Sequence, residues 1–470
     1  MATLTRRRSD GRLYIAGAFV DPQGGGVGPV HEKATGREIG SYAIGTASDV
    51  DRAVAAAAIA QPDWAERTYQ ERGAVLRRVA DLFGEQAAAW EDQIIRETGA
   101  VRAKARGEVA VVRGKLFESA ALAGMPNGQL VPTVRHRKLG LIHHDPVGVV
   151  AVITPWNFPL ILAFRAIAPA LALGNTVVLK PASLTPMCGG QWIADLFHEA
   201  GAPAGVINLV TGSGAAVGEP LAAHPQVALI HFTGSTDVGR TMARIAADGL
   251  KRTELELGGD NALVILDDAD VESASACGAW AAFEFQGQTC ITAGRHIVMR
   301  PVHDRYLESV VRRARGIVVG DPASDVVTLG PLISEEQLAK VDGIVQASIR
   351  MGARLVEGGT HDGLFYRPTV LDEVTPTMPA FTEEIFGPIL PVTVVDTEDE
   401  ALRLVNSQRN LVSAVYTGDL MRGYEFARRV KAGLVHVNDA MGRPTGEDDL
   451  RQFTEPQWIG LQREPVEYPY

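Results

Sequence analysis

The chain has 470 residues, 46% of them apolar and 21% charged, with 49 Gly and 26 Pro, ordinary globular values that exclude a disordered, collagenous or disulfide-stapled class. Its 45 Lys and Arg against 56 Asp and Glu leave a net charge of -11; this is no footprint for nucleic acid, and Arg6-Arg7-Arg8 is too short a basic run to supply one. A single core rarely grows to this length, so two or three packed domains are expected.

At the N-terminus the basic start runs into Asp10 and Gly11, and the apolar run 14–20 ends at Asp21, which argues against a signal peptide. From 49 to 118 the sequence is Ala-rich with helical spacing: a helix opens at Asp49-Val50-Asp51, and further helical runs cover 76–90 and 104–122. Residues 128–146 mix apolar, polar and basic side chains in a way that suits an extended hairpin, with Pro132 confining its first strand to an edge.

After Pro146 short β-branched runs alternate with helices. Strands are expected at 147–154, 176–180, 206–210 and 228–233, and helices at 160–173 (closed by Gly174), 187–200, 215–223 and 236–247. Strands apolar on both faces and separated by helices imply an α/β fold with a doubly wound parallel sheet, which binds ligands beyond the carboxyl ends of its strands. A second α/β block is expected over 277–438, with strands near 296–299, 366–370 and 434–437. The most apolar stretch, 158–179, contains Pro159, Arg165, Pro169, Gly174 and Asn175, which breaks any membrane-span reading.

Several residues carry candidate chemistry. The strand ending in Phe232-Thr233-Gly234-Ser235 leads into a helix; Gly234 permits a tight turn, Ser235 can cap, and the first free amides suit a pyrophosphate, although an ordinary strand-to-helix turn has the same look. Lys180, closing the second sheet strand, stands either where a ribose is read or on a solvated surface. Three cysteines, Cys188, Cys277 and Cys290, make no disulfide framework and show no metal-ligand spacing, which points to a reducing, cytoplasmic compartment and no metal site.

Cys290 lies in Gln286-Gly287-Gln288-Thr289-Cys290, a loop where backbone can approach a ligand; Cys277 sits in Ala-rich helix and Cys188 beside Gly189-Gly190. A lone Cys is more often a small buried hydrophobe, and a nucleophilic one needs help to ionise. Glu256, flanked by Leu255 and Leu257, is the candidate helper, with partial burial expected to raise its pKa. Asn157, in the rigid turn Thr154-Pro155-Trp156-Asn157-Phe158-Pro159, can donate to a developing oxyanion or can simply shape the turn.

Taken together, Pro-Trp-Asn-Phe-Pro (155–159), Lys-Pro-Ala-Ser (180–183), Phe-Thr-Gly-Ser (232–235), Glu-Leu-Gly-Gly (256–259), Gly-Gln-Thr-Cys (287–290) and Glu-Glu-Ile-Phe-Gly-Pro (383–388) resemble the NAD(P)-dependent aldehyde dehydrogenases. The resemblance implies Cys290 as nucleophile, Asn157 at the oxyanion and Glu256 as the base that hydrolyses a thioester. It places Thr154, Pro155, Trp156, Lys180, Ser183, Gly212, Gly234, Ser235, Gly239, Leu257, Glu384 and Phe386 around the cofactor. It also implies a discontinuous cofactor-binding domain (1–127 and 147–256), a catalytic domain (257–438) and a small β oligomerisation arm (128–146 and 452–470), hence a homodimer or homotetramer.

Members preferring NAD often have a glutamate at position 183; Ser183 removes that repulsion, so NADP is expected alongside NAD. The ending Phe453-Thr454-Glu455-Pro456-Gln457-Trp458-Ile459 with Tyr468-Pro469-Tyr470 looks like the benzaldehyde and vanillin dehydrogenase branch, with an aromatic aldehyde as substrate. Trp156, Phe283 and Phe285 are then either a pocket wall near Cys290 or ordinary core, and Arg165 is placed to meet a polar substituent at the pocket mouth. One departure stands out: the Gly-rich loop that family members carry after position 439 is missing. The alternative reading is therefore a non-catalytic protein of this fold, binding cofactor or serving a structural role.

Overall fold

The computed structural model describes residues 8–125, 127–442 and 449–463. The described strands form two seven-stranded sheets, a three-stranded antiparallel arm and two small hairpins.

In the first sheet Val149–Ile153 and Thr176–Lys180 are buried at every position, as strands covered by helices on both faces must be. The order across is Arg252–Leu257, Val227–Gly234, Val149–Ile153, Thr176–Lys180, Ile207–Leu209, Leu13–Ile15, Ala18–Val20. The first five run parallel. From Val149–Ile153 the chain adds strands on one side, then returns to build Val227–Gly234 on the other. At such a switch point the two flanking connections leave on opposite faces and a crevice opens beyond the carboxyl ends, here at Thr154 and Ser235. The helix that follows Thr154, Pro159–Ala172, starts with a Pro whose missing N–H is not needed there and stops before Gly174, which is left-handed at φ 93°.

Some sequence expectations are corrected. The apolar run 14–20 folds back through Ala16 and Gly17, both at positive φ, and joins the sheet as an antiparallel hairpin against Leu209. The single helix over 76–90 is two, Tyr69–Glu85 and Ala87–Thr98, because Gln86 leaves helical geometry. The runs 187–200 and 215–223 open as π turns, Met187–Gln191 and Gly214–Gly218, before α-helix begins. Gly190 lets the first of these sit against Pro181, where an added Cβ would meet the ring at 2.6 Å. The buried carboxylate of Glu97 accepts from the N–H groups of Met187 and Cys188, both at 2.7 Å.

The second sheet begins earlier than expected, at Ala262–Ile265, and its order is Arg354–Glu357, Thr369–Asp372, Ile389–Val395, Arg295–Met299, Ala262–Ile265, Asn410–Tyr416, Ala432–Val437. The expected strand 366–370 is broken by Pro368, which cannot donate to a ladder: Phe365–Tyr366 pairs in a small hairpin with His361–Asp362, and only Thr369–Asp372 enters the sheet.

The arm joins Gly128–Val131, Lys138–Pro146 and Thr454–Gln462, with Gly128–Val131 on the edge as Pro132 requires. Of the segment that differs from the resembled family, Met441 is buried in the second core and Gly442 O accepts from His436 Nε2 at 2.9 Å. Residues 443–448 lie outside the described residues, as do Arg6, Arg7 and Tyr468-Pro469-Tyr470. No described helix is long and apolar enough to cross a membrane, and no described group of three His, Cys, Asp or Glu could hold a metal ion.

Candidate active site

A cavity of about 200 Å³ opens at the switch point of the first sheet and reaches the second. The turn after Val149–Ile153 contributes Pro155, Trp156 and Asn157, and the helix behind it Leu162 and Arg165. The neighbouring strand ends contribute Thr233, Gly234, Ser235, Glu256, Leu257 and Gly258. From the second unit come Cys290, Gln337, Lys340, Glu384, Phe386 and Leu411.

Cys290 is held by its backbone. The helix Val271–Phe283 gives way to Phe285 and Gln286 at φ 48° and 59°, left-handed values that cost non-glycine residues about 1–3 kcal/mol each and persist only when surrounding bonds impose them. Those bonds are present. Gln286 Nε2 donates to Gly99 O and Pro331 O at 3.0 and 2.6 Å. Asn261 Nδ2 donates to Cys290 O at 2.8 Å and Thr292 O at 3.0 Å, and Asn157 Nδ2 donates to Gln288 O at 3.0 Å. The thiol is thus presented to the cavity while the main chain around it is tied to both sheets. Cys188 and Cys277 are buried in helical segments away from this cavity.

Burial pushes the Cys290 thiol up to about 11; Arg165 draws it down, and the carboxylates of Glu256 and Glu384 push it further up. The resting thiol is therefore protonated at neutral pH. Arg165 does not wait at the pocket mouth for a substituent, as the sequence suggested: its Nη2 lies 3.3 Å from Glu256 Oε1, both side chains mostly buried. This ion pair sets a guanidinium beside the carboxylate and the sulfur. Glu384 is pushed up to about 7, chiefly by burial, opposed by Lys340. Its carboxylate packs on Gly258, where a Cβ would meet Oε1 at 2.2 Å. Phe386, at φ 56°, meets Trp156 edge to face at 5.5 Å, and Gln337 Nε2 fixes its carbonyl at 2.8 Å.

Of the other expected cofactor residues, Gly234 and Ser235 also line this cavity, while Lys180, Ser183, Gly212 and Gly239 do not. Lys180 is buried rather than solvated; burial lowers its ammonium to about 8, and it makes no ion pair or hydrogen bond among the described residues. Ser183 Oγ donates to Gly212 O at 2.9 Å, with Gly212 at φ 152°. Ser235 is the N-cap of Thr236–Asp248 but, against expectation, its side chain makes no cap bond, and Gly234 turns without a positive φ. Gly239 serves a close approach, since a Cβ there would lie 2.4 Å from Leu257 Cδ2.

Three of the described buried polar atoms without hydrogen-bond partners lie here: Thr154 Oγ1, Thr233 Oγ1 and Asn157 Oδ1. Orphaned buried polar atoms are costly and call for a ligand or water. With the unpaired Lys180 ammonium and the free first turn after Ser235, they fit a dinucleotide lying across the switch point.

Phe283 and Phe285 do not wall this cavity. They line a separate one of about 800 Å³ with Phe158, Trp280 and Glu284. Gln337 and Lys340, three apart on one face of Glu335–Arg350, and Leu411 carry no sequence signal of their role.

Comparison with known proteins shows the family and the fold. The profile of the aldehyde dehydrogenase family matches residues 19–449. The chain is 42% identical to a benzaldehyde dehydrogenase [NAD(+)] of Pseudomonas putida over 95% of each, and 40% identical to a vanillin dehydrogenase of Amycolatopsis sp. over 100% of each. Among solved structures, an NAD-dependent benzaldehyde dehydrogenase from Corynebacterium glutamicum superposes with a TM-score of 0.91 at 36% identity, covering 98% of each chain. A betaine aldehyde dehydrogenase of Staphylococcus aureus in complex with NAD+ gives 0.94 at 29% identity, covering 97% of this chain and 96% of that one.

Proposed function

The chain belongs to the aldehyde dehydrogenase family, and on that premise we propose that it oxidises aromatic aldehydes of the benzaldehyde type to carboxylic acids with NAD or NADP, through a thiohemiacetal and a thioester on Cys290. One observation carries the mechanism: Cys290, Asn157, Glu256 and Arg165 share a single small cavity with Glu384 and Phe386 at the switch-point crevice.

The Cys290 thiol must lose its proton before it attacks. Arg165 favours the thiolate electrostatically, and the Glu256 carboxylate in the same cavity takes the proton and passes it to solvent, so that it is free to act again as a base. The thiolate then forms a C–S bond to the aldehyde carbon while the carbonyl oxygen becomes an oxyanion. Asn157 Nδ2, with one N–H on Gln288 O, turns the other to that oxygen, in a site where a fixed donor acts more strongly than in water. Bound in the crevice, the nicotinamide supplies the hydride acceptor. Glu256 then takes a proton from a water molecule that attacks the thioester, releasing the acid and restoring the sulfur.

Among the cofactor residues, Glu384 as carboxylate accepts from hydroxyl groups, Lys180 and Ser183 meet the adenosine end, and the first turn after Ser235 meets the pyrophosphate. The proposed domains are 1–127 with 147–256 for cofactor and 257–438 for catalysis. The non-catalytic alternative has no support in the site, where nucleophile, base and amide stand together and the segment after Asn438 is anchored through Met441. The direct test is absorbance of NADH or NADPH formed with benzaldehyde, vanillin and short aliphatic aldehydes: aromatic substrates are expected to give the higher kcat/KM, and a reversed ranking overturns the aromatic assignment.

Cofactor choice makes a pH prediction. With Ser183 in place of a carboxylate, NADP is turned over. Lys180 carries its charge below about 8 and loses it as pH rises through that value. A 2'-phosphate depends on that charge more than a hydroxyl does, so KM for NADP is expected to rise about tenfold from pH 7 to 9.5 while KM for NAD changes little. Parallel pH profiles for the two cofactors would remove Lys180 from this role.

The arm (128–146 and 452–470) is proposed to assemble a homodimer or homotetramer. Its described surface exposes Leu130, Leu139 and Leu461 on one face and Trp458 on the other, apolar side chains that a three-stranded sheet cannot bury by itself. Sedimentation velocity is expected to show an oligomer that Trp458→Glu dissociates; a monomeric wild type contradicts it.

A further inference from the structure

The helix Arg102–Leu122 carries an ion pair withdrawn from water: Lys104 Nζ lies 2.5 Å from Glu108 Oε2, with the two side chains 2% and 0% exposed. Burying two charges costs several kcal/mol per ion unless their remaining donors and lone pairs are used. Here both are used on one short stretch of chain. Lys104 Nζ also donates to the main-chain oxygen of Asn157 at 2.8 Å and stands over the rings of Phe158 and Phe285 at 4.2 and 4.3 Å. Glu108 Oε1 accepts from the N–H groups of Leu160 and Ile161 at 2.9 and 3.2 Å. These are first-turn amides of Pro159–Ala172, whose own N-cap residue, Phe158, offers no side-chain cap.

The pair therefore grips the turn 157–161 from both ends. On its other side, the Asn157 amide is bonded to Gln288 O beside Cys290. We propose that Lys104 and Glu108 are positioning residues for aldehyde oxidation: they fix the main chain of Asn157 so that its amide bridges the Cys290 loop and meets the developing oxyanion. This rests on the reading of Asn157 given above. Neither side chain lines the cavity that holds Cys290, so the pair acts through Asn157, and a displacement of about 1 Å there is enough to lower the rate about 10²-fold.

Because Lys104→Met alone strands a buried carboxylate, the test neutralises both in K104M/E108Q and counts competent sites by the stoichiometry of cofactor binding in calorimetry. Per site, kcat for benzaldehyde is expected to fall about 10²-fold while KM for cofactor stays within about threefold. In an Asn157→Ala background the same pair of substitutions is expected to add no further loss, because the group they position is gone. Unchanged per-site kcat, or losses that multiply in the Asn157→Ala background as independent structural damage does, overturns the inference. Should K104M/E108Q bind no cofactor, the same cycle is run with Glu108→Gln, which keeps shape and acceptor and removes the charge that holds Lys104; the same non-additivity is expected, and its absence is decisive against. A wild-type enzyme inert to every aldehyde removes the functional reading itself, whereas an active wild type with an unimpaired variant removes this inference alone.

Discussion

Cys290→Ser is expected to lower kcat for aldehyde oxidation about 10⁴-fold or more, equivalent to about 5.5 kcal/mol of lost transition-state stabilisation, with cofactor affinity by calorimetry within about twofold of wild type. The loss is chemical rather than structural. The loop is held through the Cys290 carbonyl by Asn261 and through Gln288 by Asn157, and none of these bonds uses the sulfur. A serine hydroxyl is far harder to ionise than the thiol, and although Arg165 favours the anion at this position, two carboxylates oppose it. Residual activity above about 1% of wild type would move the nucleophile elsewhere, to a buried Cys188 or Cys277 that the geometry keeps from the cavity.

Glu256→Gln should separate the two halves of the reaction. The amide keeps the shape of the carboxylate but cannot accept the proton of the attacking water, and general-base contributions of this kind are about 10²–10⁴-fold. The first turnover, which needs only one proton removed from the thiol, is slowed less than thioester hydrolysis. Stopped-flow absorbance is then expected to show a burst of NADH approaching one per site, followed by a slow steady rate. An equal slowing of both phases, with no burst, would assign Glu256 to the thiol alone and leave hydrolysis to another group.

Much of this could be read from the residues before any coordinates. The strand Thr176–Lys180 was legible to its ends because it is apolar on both faces and bounded by Asn175 and Pro181. Cys290, Glu256 and Asn157 were legible as a set because each lies in a short motif with turn-forming neighbours. Other features were not. Ala262–Ile265, Ile389–Val395 and Asn410–Tyr416 are short apolar runs that a helix segment imitates. The Arg165–Glu256 pair joins residues 91 apart in sequence. The left-handed geometry at Phe285 and Gln286, two residues with Cβ atoms, is likewise not announced by composition. Lysines are read as surface residues by default, so the burial of Lys180 and Lys104 emerged only from what packs around them.

The most direct measurement is mass spectrometry of Glu256→Gln protein quenched in acid during the burst with benzaldehyde and NAD. The account predicts a gain of one benzoyl group per chain, carried on the peptide containing Cys290 and released by hydroxylamine. A burst without any adduct, or a benzoyl group located on Cys188 or Cys277, would contradict it.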